Sequence, residues 1–353
     1  MLSKLLGVRI FDLEASSRCN VRCRFCPRDL LPETGLMSQP VYSRFLSQVT
    51  LGATDTLSFV GIGEPLLNPL LPSFLLQAKV WHPQVRTWVT TNGTLLDEPR
   101  LTALLESRLD TLDVSVNGTD AASYESVVRG ASFERTLANI DRAVRVIEET
   151  HSPTRLQINF VFDGERATEE RIKRYWRSRG VNRFRVQPLH SRAGAIDVPS
   201  RRAEDDRSLP GADAAAMRCE VFELFTFLTW QGDVLYCCND LARRARLGNI
   251  GRDAWAGIEE RKREIARKGP WPAFCRRCTS PQRHSLFAYV DRQLLSELGG
   301  FLRGGAATLL GRKRRRALPA LPEATSAAVP RPTGRGAAVA TGDPAAVCAA
   351  EED

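Results

Sequence analysis

No stretch of the sequence is apolar over the roughly 18–20 residues that a membrane-spanning helix needs. Met1–Ile10 lacks the long apolar core and cleavage site of a secretory signal. Both absences set the expectation of a cytoplasmic protein with no membrane partner. Lysine is scarce. It supplies six of the fifty basic residues, so the formal net charge of +9 comes from arginine spread along the chain. A basic balance can mark a nucleic-acid partner, but aromatics interleaved with basic residues are missing, and arginine used throughout reads as codon bias. No internal repeat is visible. A chain of 353 residues also has no need of disulfide staples, because it can bury a sizeable core. Its nine cysteines are an odd number. In a reducing compartment, cysteines at regular spacing are more often metal ligands or catalytic groups than disulfides.

Short β-branched runs alternate with helical stretches over the first two hundred residues. Strands are expected at Val8–Glu14, Thr56–Val60, Val85–Thr90, Thr111–Val116, Leu156–Phe162 and Arg183–Gln187, and helices at Gln39–Thr50, Leu70–Trp81, Glu98–Ser107, Phe133–Glu149 and Arg166–Arg179. Strands joined by helices imply right-handed crossovers and a parallel sheet. Six are too few for a closed eight-unit barrel. The fold class is therefore α/β, a partial (β/α)6 TIM-type barrel followed by a small C-terminal domain. The expected layout is a core at 1–198, a charged linker at 199–213, a cysteine-bearing domain at 214–303 and an Ala/Pro-rich basic tail at 304–353. Val221–Cys238 reads as a short β-like region and Gln282–Gly299 as an amphipathic helix. The GRKRRR run at Gly311–Arg316 reads as part of a solvated tail, with contact to nucleic acid or an acidic partner as the alternative.

Eight cysteines fall into two groups. The first, Cys19-Asn-Val-Arg-Cys23-Arg-Phe-Cys26, lies directly after the first strand. Three soft thiolates can wrap one face of an iron–sulfur cube and leave one iron open. A zinc site would prefer four ligands in paired CxxC spacing. The second group is Cys219-x12-Gly232-x4-Cys237 with Cys275-Arg-Arg-Cys278. Its four thiols can ligate a complete cube, with Gly232 bending a hairpin that carries Cys237, or they can hold zinc.

The CxxxCxxC loop, Gly61-Ile62-Gly63-Glu64-Pro65 and Thr91-Asn92-Gly93 stand at the ends of consecutive strands. In that order they resemble the radical S-adenosylmethionine (SAM) superfamily. The resemblance covers about residues 8–190. It implies a 4Fe–4S cluster on Cys19, Cys23 and Cys26, with SAM bound at its open iron. It also implies that Glu64, between Gly63 and Pro65, holds the SAM amino group, and that Gly61 and Asn92 border the site. Ser115 and Asn117 would contact the ribose, Asn159 the adenosine, and Phe25 would pack near the adenine. The implied chemistry is reductive cleavage of SAM to a 5′-deoxyadenosyl radical, which abstracts hydrogen from an unactivated carbon.

Cys219…Gly232…Cys237, Gly248-Asn249-Ile250, Trp255 and Cys275–Cys278 resemble the auxiliary-cluster domain of SPASM and twitch members of that superfamily. Full SPASM domains carry further cysteines after the CxxC pair, whereas here Thr279-Ser280-Pro281-Gln282 follows. One auxiliary 4Fe–4S cluster on Cys219, Cys237, Cys275 and Cys278 is therefore expected, of the shortened twitch type. The Glu33–Gly35 segment, the Gly-Glu-Pro-Leu-Leu run and Ser191-Arg192-Ala193-Gly194 add a resemblance to sugar and aminocyclitol oxidoreductases. From it Arg192 is a candidate for substrate binding, with a structural salt bridge as the alternative. Cys238 is an alternative ligand, an inert buried thiol, or a hydrogen-atom donor to a substrate radical.

The expected function is oxidation of a carbinol carbon on a small sugar or aminocyclitol, with the auxiliary cluster taking the second electron. A reducing partner such as flavodoxin or ferredoxin would prime it. His190 is a candidate for the base, with a core or surface histidine as the alternative. The competing readings are a sugar epimerase, a peptide- or protein-modifying enzyme, and, outside enzymes, a zinc or nucleic-acid-binding module.

Overall fold

The computed structural model describes residues 7–162, 165–196 and 219–280, which fall in one compact unit. The linker at 199–213, the helix at Gln282–Gly299, the tail with its GRKRRR run and Cys348 lie outside the described residues. No helix among the described residues is long and apolar enough to cross a membrane.

The first half of the chain alternates strands and helices as expected. The elements are β1 (Ile10–Leu13), β2 (Arg22–Cys23), α1 (Gln39–Gln48), β3 (Thr56–Phe59), α2 (Leu71–Trp81), β4 (Arg86–Thr91), α3 (Glu98–Glu106) and β5 (Thr111–Ser115). They continue through α4 (Ala121–Glu125), β6 (Val128–Arg129), α5 (Phe133–Glu149), β7 (Arg155–Phe162), α6 (Arg166–Arg177) and β8 (Phe184–Pro188). Local chemistry sets several boundaries. Asp97 accepts from the Arg100 amide at 3.1 Å to open α3, and Ser132 accepts from the Arg135 amide at 3.3 Å to open α5.

The C-terminal segment adds α7 (Glu220–Leu224), β9 (Phe225–Leu228), β10 (Asp233–Leu235), β11 (Arg246–Asn249) and α8 (Trp255–Lys268). The stretch read as β-like from Val221 thus opens with a helix. Its apolar residues Val221, Phe222 and Leu224 are buried in a single turn and a half, a run too short for periodicity to separate helix from strand.

One sheet runs β11-β10-β9-β1-β3-β4-β5-β7-β8. β1, β3, β4, β5, β7 and β8 are parallel, forming an open partial barrel, and β9 joins the free edge of β1 in parallel register, Ile10 opposite Phe225. That pairing covers an edge which would otherwise expose a row of unpaired amides. Outward residues of β1 pack on helices: the Phe11 ring lies 5.9 Å from those of Phe45 and Trp255. The inward faces mix polar and apolar side chains. In β4, Thr87, Val89 and Thr91 are buried and Arg86, Trp88 and Thr90 half-buried, and Arg86, Thr87, Trp88 and Thr90 border the barrel interior. The barrel is consequently hollow.

Candidate functional site

The loop after β1 is shaped by backbone contacts on every side. β2 and β6 pair Cys23 with Val128, and Arg24 N–H donates to Val127 at 2.9 Å. The Arg28 guanidinium donates to the carbonyls of Cys19 at 3.0 Å and Val21 at 2.9 Å. From the end of β3 the glycine turn presses directly on this loop. A Cβ on Gly63 would lie 2.2 Å from the Ser16 carbonyl oxygen and 2.6 Å from that of Arg18. Close approach requires glycine here.

These contacts bring Cys19, Cys23 and Cys26 together, all half-buried, and the eight described cysteines form no disulfide. Burial pushes the Cys23 thiol up to about 12, and the neighbouring Cys26 and Cys19 add to the shift. Three thiols that resist ionising beside one another are a donor set that a cationic cluster would stabilise. The residues therefore fit an iron–sulfur cube with three protein ligands.

Glu64 is 1% exposed. Its Oε1 accepts from Thr91 Oγ1 at 2.7 Å and Leu66 N–H at 3.1 Å, and its Oε2 accepts from Asn92 N–H at 2.7 Å. Burial pushes its carboxyl up to about 7. Pro65 starts the short 3-10 turn that follows. Asn92, held by Glu64, reaches the loop in turn: its Nδ2 lies 3.9 Å from Cys19 Sγ and 3.0 Å from Asn20 Oδ1. Glu64 thus links the glycine turn, the β4 terminus and the cysteine loop. Asn117 Oδ1 accepts from Val161 N–H at 2.8 Å.

Beside the loop a cavity of about 340 Å³ fills the barrel interior. Phe25, Gly61, Ser115 and Asn159 line it, and so do Arg192, His190 and Cys238. The aromatic ring, the glycine and two polar side chains next to the thiol loop fit an adenosine-bearing ligand. Sequence reading missed the charged groups on the cavity wall. Asp12 and Arg185 line it, with the Arg185 guanidinium 5.5 Å above the Trp88 ring. Arg185 is paired with the buried Asp113, which also accepts from Gln157 Nε2 at 2.9 Å and Thr90 Oγ1 at 3.1 Å. Polar residues at every second position of otherwise apolar strands were the available signal.

The second cysteine set converges from three elements. Cys219 caps α7, the β9–β10 hairpin turns at Gly232 (φ +88°) to carry Cys237, and a 3-10 turn at Ala273–Arg277 carries Cys275 into Cys278. Between them stands Tyr236, whose ring stacks on Phe222 at 4.4 Å. Burial, then Cys275, Cys219 and Cys237, push its hydroxyl well above the ordinary tyrosine range, and its Oη is buried with no hydrogen-bond partner. An orphan donor among half-buried thiols fits a cluster whose sulfurs accept it.

Ser191–Gly194 bridges the two sites. Ser191 Oγ donates to the Arg277 carbonyl at 2.8 Å, Ser191 N–H donates to Thr279 Oγ1 at 2.8 Å, and Thr279 N–H donates back to Ser191 Oγ at 3.0 Å. Arg192 adopts the left-handed region (φ +48°), and its guanidinium favours the ionised forms of both Cys26 and Cys238.

Comparison with known proteins agrees with this geometry. Residues 13–185 match the model described as the Radical SAM superfamily, and residues 219–279 match SPASM, an iron–sulfur cluster-binding domain. The chain is 26% identical over 253 residues to the S-adenosyl-L-methionine-dependent 2-deoxy-scyllo-inosamine dehydrogenase of Niallia circulans, covering 70% of this chain and 81% of that protein. It is 31% identical over 131 residues to the GTP 3′,8-cyclase of Chlorobaculum tepidum, but spans only 39% of that relative's length. A crystal structure of BtrN in complex with AdoMet and 2-DOIA superposes with a TM-score of 0.51 at 22% identity, over 79% of this chain and 97% of that one. At that identity the likeness is one of fold.

Proposed function

Because the chain belongs to the radical SAM superfamily and carries a SPASM-type iron–sulfur domain, we propose that it oxidises a carbinol carbon of a small sugar or aminocyclitol. The observation that carries this reading is the cavity beside the cysteine loop, whose mixed lining sets Asp12, Arg185 and Asn159 among apolar side chains. At about 340 Å³ it is within the range of small-molecule sites. Its walls combine carboxylate, guanidinium and amide groups suited to hydroxyls and amines. The 26% identity to an aminocyclitol dehydrogenase over most of both chains gives the same direction.

In this reading Cys19, Cys23 and Cys26 hold the 4Fe–4S cluster at which SAM binds, and Cys219, Cys237, Cys275 and Cys278 hold the auxiliary one. When bound, these groups supply the one-electron chemistry that removes a hydrogen atom from an unactivated carbon and takes up the electron left behind. The chain's own residues do the rest. Glu64 fixes Asn92 and the glycine turn against the cysteine loop, so the loop keeps one shape. Phe25, Gly61, Ser115 and Asn159 form the wall that would receive adenosine. Arg192 stands between the first cysteine group and Cys238, and there it orients a polar substrate.

A second reading, epimerisation, is favoured by one observation: Cys238 lines the cavity, where its thiol could return a hydrogen atom to a substrate radical. The test of both is one incubation. The reduced protein, with flavodoxin or ferredoxin as donor, is given SAM and aminoglycoside precursors in deuterated buffer. A two-electron-oxidised product formed with 5′-deoxyadenosine supports oxidation. An isobaric product carrying solvent deuterium at carbon, and abolished in Cys238→Ala, supports the epimerase instead.

A further inference from the structure

Oxidising a carbinol requires three departures: a hydrogen atom from carbon, an electron, and the hydroxyl proton. The cysteine groups account for the first two, leaving the proton without a named acceptor. We propose that Asp12, on the cavity-facing side of β1, accepts that proton from the hydroxyl on the carbon being oxidised. The assignment rests on the reading of the chain as a carbinol-oxidising enzyme.

Val8, Ile10 and Asp12 line the cavity, and Glu14 follows just after β1. Glu14 is consumed by a buried ion pair with Arg243. Asp12 is different. It is 7% exposed and lines the cavity, with the Ser58 hydroxyl as hydrogen-bonding neighbour and Arg185 as the cation it feels across the barrel. Asp12 is also near enough to Cys238 to act on that thiol's charge, which puts it on the wall shared with the auxiliary-cluster segment. Burial pushes its carboxyl from 3.8 to about 7, where a base is most useful near neutrality.

Two other cavity groups are less suited: Asp110 is held by Lys79 and by the Thr87 amide and hydroxyl, and His190 presents the wrong nitrogen. His190 Nδ1 accepts the Arg192 backbone N–H at 3.1 Å. In the neutral ring the proton then sits on Nε2, which can donate but not accept. The balance closes with Asp12 as acceptor. Carbon gives a hydrogen atom to the SAM-derived oxidant, the hydroxyl gives its proton to Asp12, and the remaining electron passes to an iron–sulfur acceptor. The C–O bond becomes a carbonyl, and Asp12 ends protonated.

The test uses the iron-loaded, reduced holoenzyme with 2-deoxy-scyllo-inosamine deuterated at its carbinol carbons, wild type beside Asp12→Asn and Asp12→Glu. Asn keeps the size and hydrogen bonding of Asp12 but cannot take a proton. In Asp12→Asn, deuterium transfer into 5′-deoxyadenosine and equilibrium affinity for the aminocyclitol should stay within about threefold, because hydrogen abstraction and binding do not use the base. Ketone should fall about 100-fold or more, so 5′-deoxyadenosine is made out of step with product. Asp12→Glu should restore part of the ketone. Ketone formed in step with 5′-deoxyadenosine in Asp12→Asn overturns the assignment alone. So does a 100-fold loss of affinity with the two products still in step, since Asp12 would then hold the substrate amine. Wild-type protein that makes no ketone overturns the carbinol-oxidation reading, and the assignment with it.

Discussion

Glu14 and Arg243, 229 residues apart, meet in a buried ion pair: Oε2 accepts from Nη2 at 2.7 Å, with side chains 1% and 2% exposed. Trp230 N–H donates to the same oxygen at 3.3 Å, and Oε1 is buried without a partner. The pair ties the end of β1, just before the cysteine loop, to the segment after β10. Burial pushes the Glu14 carboxyl up even with Arg243 beside it, so desolvation outweighs the attraction here. Such a pair contributes little as a unit, yet losing one member strands the other. Arg243→Ala should cost about 3–5 kcal/mol in denaturant unfolding. The double variant Glu14→Gln/Arg243→Met should recover much of that loss.

The contact of Gly63 with the Ser16 and Arg18 carbonyls leaves no room for a methyl group. Gly63→Ala should displace the first cysteine loop and spare the second cysteine set, which lies on other elements. Iron should drop from about eight to about four per chain, with sulfide in proportion. Retention of full iron would show that the turn yields instead of the loop.

Cys275→Ser divides the two proposed clusters the other way. Iron should again fall to about four per chain. SAM cleavage to 5′-deoxyadenosine should continue, while two-electron product disappears, because only the acceptor of the second electron is removed. Unchanged product in this variant would sink that role.

Much of this architecture was legible because short-range chemistry fixes it. Apolar runs bounded by turns located all six barrel strands to within two residues, and α5 begins and ends at the expected Phe133 and Glu149. In the structure Ser132 caps its start, accepting from the Arg135 amide, and Phe133, Ile140 and Ala143 are buried along it. The pairing of β9 with β1 was not legible, since no local pattern announces which edge a distant strand will cover. Nor was the cavity. Asp12, Asp113 and Arg185 read as single polar interruptions in apolar strands, and only the curvature of the sheet brings them to one interior. Glu64 shows the same limit. Its motif marked it, but its contacts with Thr91 and Asn92 come from the neighbouring strand.

Tyr236 offers a spectroscopic test. With the four cysteines holding the auxiliary cluster, the orphan Oη is the donor placed to hydrogen-bond its sulfurs, which favours the reduced, more negative form. Tyr236→Phe keeps the stack on Phe222 and removes the donor. The potential of one cluster should fall by on the order of 60 mV, the equivalent of a charge-assisted hydrogen bond of about 1.5 kcal/mol. The other should not move in a redox titration followed by electron paramagnetic resonance.

The Asp12 carboxyl also leaves a signature in stability. Burial raises it from 3.8 to about 7, so between those values the folded chain binds more protons than the unfolded one. Stability therefore falls as pH rises through that window, and the loss is complete above about 7. Asp12→Asn has no proton to lose. It should match wild type near pH 4, where both side chains are neutral and of similar size, and should be more stable by on the order of a few kcal/mol at mildly alkaline pH. Urea unfolding of both proteins across the window measures the difference. Parallel pH profiles would mean that Asp12 is already ionised at low pH in the folded chain.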